Sequence, residues 1–152
     1  MPRHPDDIRS YLVAVDGSDA AYHALGEACD VAKRTKATVS VVYVIEVPRS
    51  LALEAEMERE LDRGEQILAR AERVAADHGV TAQADLLQAR QAGHAVVDEA
   101  VDRHADVLVL GVEYHRPLGQ FTLGRLPLYV LEHAPTQVWL IRYPATDTGH
   151  EV

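Results

Sequence analysis

The chain alternates between two hydrophobic periods. Residues 11–15 (YLVAV), 38–45 (TVSVVYVI), 80–87 (VTAQADLL), 106–112 (DVLVLGV) and 138–142 (VWLIR) are short apolar runs bounded by turn formers, and each predicts a strand. Between them the apolar positions recur at spacings of three and four, the period of a helix. Ala21, Leu25, Ala28, Cys29 and Ala32 line one face of a first helix that follows the turn and capping sequence Asp16-Gly17-Ser18-Asp19. Leu53, Met57, Leu61, Leu68, Ala71 and Ala75, with Gly64 in the same stripe, line a long second helix over 51–78. The outer face of that helix is crowded with Glu, Asp and Arg, densest in acid near its start, and reads as a solvated face. Gly79 is placed to end it in a left-handed cap. Gly93 precedes a third helix over 94–104, with Val97, Ala100, Val101 and Ala105 expected inward. A fourth helix over 126–133 has Pro127 in its first turn and Pro135 just past its end.

Strand and helix alternate strictly from one end to the other. Parallel strands joined by right-handed helical crossovers meet that pattern, so the expected fold is α/β, a doubly wound five-stranded parallel sheet with helices on both faces. The uninterrupted apolar run at 106–112 marks a strand buried on both sides. The expected domain covers 11–143, between a flexible N-terminal segment 1–10 and a mobile C-terminal tail 144–152.

Composition narrows the function. A chain of 152 residues, 47% apolar, suits one packed core. Its 15 Lys and Arg stand against 24 Asp and Glu, a net charge of −9. That balance argues against nucleic acid or anionic lipid as a partner, because phosphate contacts need clustered cations. The single cysteine, Cys29, excludes an internal disulfide and a cysteine-based zinc site, and its place in the apolar stripe makes it a small buried group. No signal-like run opens the sequence and no apolar stretch is long enough to cross a bilayer, so the expected location is cytoplasmic, with no membrane insertion.

In such a sheet, ligands bind beyond the carboxyl ends of the strands, where strand order reverses. The residues placed there are Asp16-Gly17-Ser18, the segment 44–46 and the segment 111–125. Asp16 can accept from a ribose hydroxyl or serve the helix cap, and the sequence leaves both readings open. There is no Walker phosphate loop and no GxGxxG pattern. The eight histidines are scattered without a helical i, i+4 pair, and no Ser sits in a G-x-S-x-G elbow. The sequence offers no catalytic centre and no metal centre.

Four segments, VAVDGSDAAYHAL, VVYVIE, DVLVLGV and LGRLPLYVLEHAPTQVWLIR, resemble the universal stress protein family in order and spacing, over about residues 11–142. The resemblance implies the fold above, dimers through the last strand, and membership of either an ATP-binding or a non-ATP-binding group. In ATP-binding members an Asp ending the first strand meets the ribose or adenine region, matched by Asp16 with Gly17 beside it. A Val near the end of the second strand offers its backbone to adenine, matched by Val44. The phosphates lie in a motif of Gly, two residues, Gly, nine residues, Gly, then Ser or Thr. Gly111 and Gly124 match it, but Tyr114 stands for the second Gly and Arg125 for the hydroxyl residue. Tyr114 brings a Cβ and a ring that resist close backbone approach to a phosphate. Arg125 cannot mimic a hydroxyl; it can bind a phosphate by charge-assisted contacts, or pair with Glu113 or another acid and close the site.

The resemblance thus implies a cofactor site of Asp16, Gly17, Val44, Gly111, Tyr114, Gly124 and Arg125, with an adenine nucleotide as candidate ligand and no cofactor certain. The last strand, with Val138, Trp139, Leu140 and Ile141, would lie at a sheet edge, where pairing with a second copy would cover it; alternatively Trp139 packs into the monomer core. The combined expectation is a non-catalytic regulatory or interaction domain in stress response, homodimeric, lacking ordinary Mg-ATP binding, with a protein partner such as a transporter or signalling protein. The alternative is an adenine-nucleotide sensor with a rebuilt phosphate loop. If Tyr114 and Arg125 fill the cleft the first reading gains, and if they line an open cleft the second does.

Overall fold

The computed structural model describes residues 7–48 and 54–145. Its elements are β1 (Ser10–Ala14), α1 (Asp19–Thr35), β2 (Thr38–Glu46), α2 (Glu54–Asp77), β3 (Gln83–Ala89), α3 (Ala92–Asp102), β4 (Val107–Glu113), α4 (Arg125–His133) and β5 (Gln137–Tyr143). The strands form one sheet in the order β3-β2-β1-β4-β5, every neighbouring pair parallel. This is the doubly wound arrangement the alternation predicts. Strand order reverses at β1, which places the topological switch between β1 and β4.

Because side chains alternate across a strand, each strand feeds two cores. Tyr11, Val13 and Val15 face one way, onto Leu25, Cys29 and Ala32 of α1 and Leu68, Ala71 and Ala75 of α2. Leu12 and Ala14 face the other, with Val96, Val97 and Ala100 of α3 and Val130 of α4. Val107, Val109, Leu108 and Leu110 of β4 divide between the two layers, and all four are buried. Cys29 sits fully inside, where loss of solvation, with Asp30 adding to it, pushes its thiol up to about 11.

Several boundaries differ from the sequence reading, each for a long-range reason. The segment expected to be flexible includes Ile8, yet Ile8 is buried, and the Arg9 and Ser10 amides donate to the Asp106 carboxylate at 2.8 and 3.2 Å. Helix α3 begins two residues earlier than expected, taking in Gly93, because Glu46 Oε2 accepts from the Ala92 amide at 2.8 Å while the N-cap residue Gln91 offers no side-chain bond. Val101, expected inward, is 46% exposed. Strand β3 lies later than 80–87, since its register is set by Ser40↔Gln83 through Glu46↔Ala89. Of the expected loose ends 1–10 and 144–152, residues 1–6 and 146–152 lie outside the described residues, as do the first residues of the acidic helix, including Leu51 and Leu53.

Candidate functional site

The site grows from the point where β1 leaves the sheet. Its ladder to β2 closes with Ala14↔Val42 and the Val15 amide on the Val42 carbonyl at 2.9 Å, and its ladder to β4 closes at Val13↔Val109. Beyond those pairs β2 and β4 continue without it, and a crevice opens over its carboxyl end. In a parallel strand both backbone groups of one residue point to the same neighbour, and the direction alternates. Val42 faces β1, so Val44, two residues on, turns its N–H and C=O toward the side β1 has vacated. The backbone of Val44 is therefore presented to the crevice by register alone.

Asp16 begins the turn that follows. One of its carboxylate oxygens accepts from the Ser18 amide at 3.0 Å and the Ser18 hydroxyl at 2.6 Å, and Ser18 Oγ in turn accepts from the Ala21 amide at 3.2 Å as the N-cap of α1. Asp16 thus organises the cap, and it also borders both halves of the cleft. Gly17, at φ +89°, makes the turn over Ile67 and is not among the residues lining either half.

One half, a lobe of about 560 Å³, is lined by Asp16, Val44, Glu46, Met57, Glu56 and Glu60 among others. It combines apolar surface with four carboxylates. The other, about 340 Å³, lies between the end of β4 and the start of α4, with Gly111, Glu113, His115, Thr122, Gly124 and Arg125 on its walls. Gly124 is the N-cap of α4, at φ +86° with open space beside it, and contributes no side-chain cap, so the first amides of that helix have no side-chain acceptor from the N-cap residue. A helix start of this kind favours an anion. Pro127, buried in the first turn as expected, has no amide to add.

Gly111 carries a second constraint that the sequence did not disclose. A Cβ there would stand 2.2 Å from the Ala20 carbonyl oxygen and 2.9 Å from Ala24 Cβ, so α1 lies directly against the β4 backbone. The glycine serves helix–sheet contact before it serves any ligand.

Tyr114 is corrected outright as a cleft residue. Its amide donates to the Tyr143 carbonyl at 2.7 Å, extending the β4–β5 ladder, and its ring stacks on Phe121 with centroids 5.7 Å apart. The Arg142 guanidinium lies 4.7 Å from the Tyr114 ring and 5.2 Å from that of Phe121. The ring therefore leaves the cleft for the β5 side and does not line it. The backbone amide that a glycine at this position would turn to a phosphate is bonded to β5.

Arg125 does line the cleft. Its side chain is 87% exposed and its Nη2 lies 3.6 Å from Glu46 Oε1. Glu46 falls in the segment 44–46 that the sequence places at the strand ends, but the sequence reading does not single out its role there. The available signal was a carboxylate at the end of β2 near the start of a helix lacking its own cap, but only the fold joins Glu46 to Ala92 and Arg125. His115, which with Arg116 is expected in the loop over a ligand, does line the smaller half, and Thr122 lines it too without any sequence signal of its own. Trp139 packs edge-on to Tyr11 at 5.2 Å and donates to Gln137 Oε1, so part of it belongs to the monomer. Among the described residues no group of three or more His, Cys, Asp or Glu converges to hold a metal, and no helix is long and apolar enough to cross a membrane.

A family model of universal stress proteins matches residues 8–142. The chain belongs to the universal stress protein family. A family member from Methanocaldococcus jannaschii is 27% identical over 145 residues, 91% of this chain and 85% of its own. One from Thermus aquaticus is 34% identical over 139 residues, 89% of this chain and 99% of its own. Among solved structures, a universal stress protein of Archaeoglobus fulgidus in complex with dAMP superposes with a TM-score of 0.67 at 20% identity, covering 88% of this chain and 97% of that one. A family protein of Arabidopsis thaliana with AMP bound gives 0.63 at 17% identity, covering 89% and 92%. A universal stress protein in complex with cAMP gives 0.67 at 22%, covering 89% and 97%. These likenesses establish the shared sheet and helices. Against the family's phosphate motif, this chain keeps the outer glycines and departs at Tyr114 and Arg125.

Proposed function

We propose that this universal stress protein is a non-catalytic regulatory domain of the cytoplasm that binds an adenine nucleotide carrying a single phosphate. The observation that carries the reading is the open cleft: Tyr114 has turned out of it, and Arg125 lines it without filling it. The adenine would meet the Val44 backbone, and the ribose would meet Asp16. One phosphate would take the α4 start at Gly124 with the Arg125 guanidinium, a charge-assisted contact. Thr122, on the same wall, offers a hydroxyl three residues before the position where the family's motif has one.

Further phosphates have little to meet. The Tyr114 amide is bonded to β5, and Glu46 and Glu113 stand beside the lobe. The domain is read as non-catalytic, its regulatory output a population shift of the loop over 114–124 on binding. The neighbours solved with AMP, dAMP and cAMP support a mononucleotide in this fold. Edge strand β5, through Leu140 and its neighbours, is proposed as the homodimer contact.

Native mass spectrometry of the purified protein, followed by calorimetric titration with AMP, ADP, Mg-ATP and cAMP, tests the reading. Saturable AMP binding at micromolar affinity, with Mg-ATP weaker, is the expected result. Indifference to every nucleotide at millimolar concentration would overturn it. A second reading then takes over, favoured by the Glu46–Arg125 pair that already spans the cleft: an interaction module that works without nucleotide, for a protein partner such as a transporter or signalling protein.

A further inference from the structure

Glu46, at the last position of β2, has one partner for each carboxylate oxygen. Oε2 accepts from the Ala92 amide at 2.8 Å, and Oε1 faces Arg125 Nη2 at 3.6 Å. The first contact fixes the carboxylate at the start of α3, where helix amides favour negative charge. The second reaches past the carboxyl end of β1 to the first residue of α4. Glu46 lines the larger lobe and Arg125 the smaller, and together they border a third cavity of about 390 Å³ between the starts of α3 and α4.

We infer that Glu46 is a specificity-determining residue, a built-in anion that occupies Arg125 until a ligand phosphate displaces it. The inference rests on the proposed nucleotide reading for the identity of the base, but not for the exchange itself. A guanidinium binds carboxylate and phosphate by the same donors, and a phosphomonoester carries about −1.5 to −2 charges against the carboxylate's one. A phosphate dianion therefore wins the exchange. The existing pair is long and its arginine exposed, so it yields readily.

The displaced carboxylate cannot swing far, because the Ala92 amide still holds it. It stays as a fixed negative charge beside the phosphate lobe. One phosphate gains Arg125 and tolerates Glu46; each additional phosphate brings more charge toward the same carboxylate. Phosphate number is thus set by Glu46 together with the lost motif positions. Neutral adenosine, which does not compete for Arg125, is indifferent to the exchange.

Glu46→Gln isolates the charge, because the amide oxygen of glutamine can still accept from Ala92. The full-length protein and the variant are titrated with inorganic phosphate and followed by 1H–15N NMR at the Arg125 side chain and the α4 amides. AMP, adenosine and ATP are titrated in parallel, and thermal melts verify that α3 is intact. Removing the competitor should tighten phosphate and AMP by about two- to fivefold, the range an exposed ion pair supports. ATP should gain more, and adenosine should not change. In an Arg125→Ser background the competition is gone, so the Glu46→Gln gain for phosphate and AMP should shrink to the part that relief of charge repulsion supplies.

Unchanged phosphate affinity in Glu46→Gln would overturn the inference. So would an equal gain for adenosine, which would mean that the substitution reshaped the base lobe. If phosphate tightens as expected while adenosine binds neither protein, Glu46 keeps its role and the adenine reading falls.

Discussion

Replacing Gly111 with alanine asks which of two demands put a glycine at this position. If phosphate approach were the reason, Gly111→Ala would weaken nucleotide binding and leave the fold alone. The structure supports the other answer. The new Cβ would stand 2.2 Å from the Ala20 carbonyl oxygen, 2.8 Å from its carbon and 2.9 Å from Ala24 Cβ. Two of these atoms belong to helix backbone, so no side-chain rotation relieves the clash. β4 and α1 must separate by about 1 Å, and the interior around Leu25 and Val109 is too close-packed to absorb that without loss. Overpacking in a core costs about 1–3 kcal/mol, and a backbone-to-backbone clash belongs at the upper end, about 3 kcal/mol. At about 2–4 °C per kcal/mol for a chain of this size, the melting temperature should fall by roughly 6–12 °C. Urea denaturation followed by far-UV circular dichroism measures the difference directly. A variant within about 0.5 kcal/mol of wild type, the usual range of a neutral substitution, would refute the reasoning. Gly124→Ala is the companion: nothing lies within 4 Å of its Cβ, so only the backbone strain at φ +86°, ψ 172°, a region essentially reserved for glycine, opposes the alanine, about 1–3 kcal/mol.

Other consequences concern the core thiol, the loop and the edge strand. Cys29, fully buried with its pKa pushed up to about 11, should resist iodoacetamide at pH 8 in the folded protein and react promptly in urea; prompt native labelling would contradict its burial. The same shift has a sign: the folded thiol holds its proton longer than the unfolded one, so its contribution to stability is complete below the unfolded pKa and is lost as pH rises toward 11. Cys29→Ala should flatten that part of the alkaline stability profile, and an unaltered slope would assign it to the buried tyrosines instead. Tyr114→Gly with Arg125→Ser restores both departed motif positions and removes the ring stack that holds residue 114 to the β5 side, letting its amide turn from the Tyr143 carbonyl to a phosphate, and should strengthen Mg-ATP binding about tenfold, the worth of a hydrogen bond to a charged group. A calorimetric titration identical to wild type would sink this reading of the loop. Leu140→Lys puts a charge on the proposed β5 dimer contact, at a side chain also packed against the α3–α4 core, and should shift sedimentation velocity toward monomer or lower the melting temperature; a variant that is still dimeric would move the interface elsewhere.

Much of the architecture was legible because it is written in local chemistry. Period two against period three-to-four separates strands from helices, and strict alternation between them leaves a parallel sheet as the natural solution. Gly79 does take a left-handed conformation, φ +80°, just past α2, and Ser18 does cap α1, since turn and cap preferences depend on neighbours a few residues away. Asp16, Val44, Gly111, Gly124 and Arg125 fall at the crevice because strand ends and the switch point follow from topology.

What the chain could not state by itself depends on partners far along it. Glu46 caps a helix forty-six residues away and meets an arginine at the start of another, contacts that no local pattern encodes. Tyr114 leaves the cleft because Phe121 and Arg142 offer its ring a stack and Tyr143 takes its amide, and those partners exist only once β4 and β5 lie side by side. Ile8 is core and Val101 is not, because burial is settled by what packs opposite a residue rather than by its own hydrophobicity. Periodicity determined the layers and the place of the crevice; tertiary contact alone decided which side chains line it and which turn away from it.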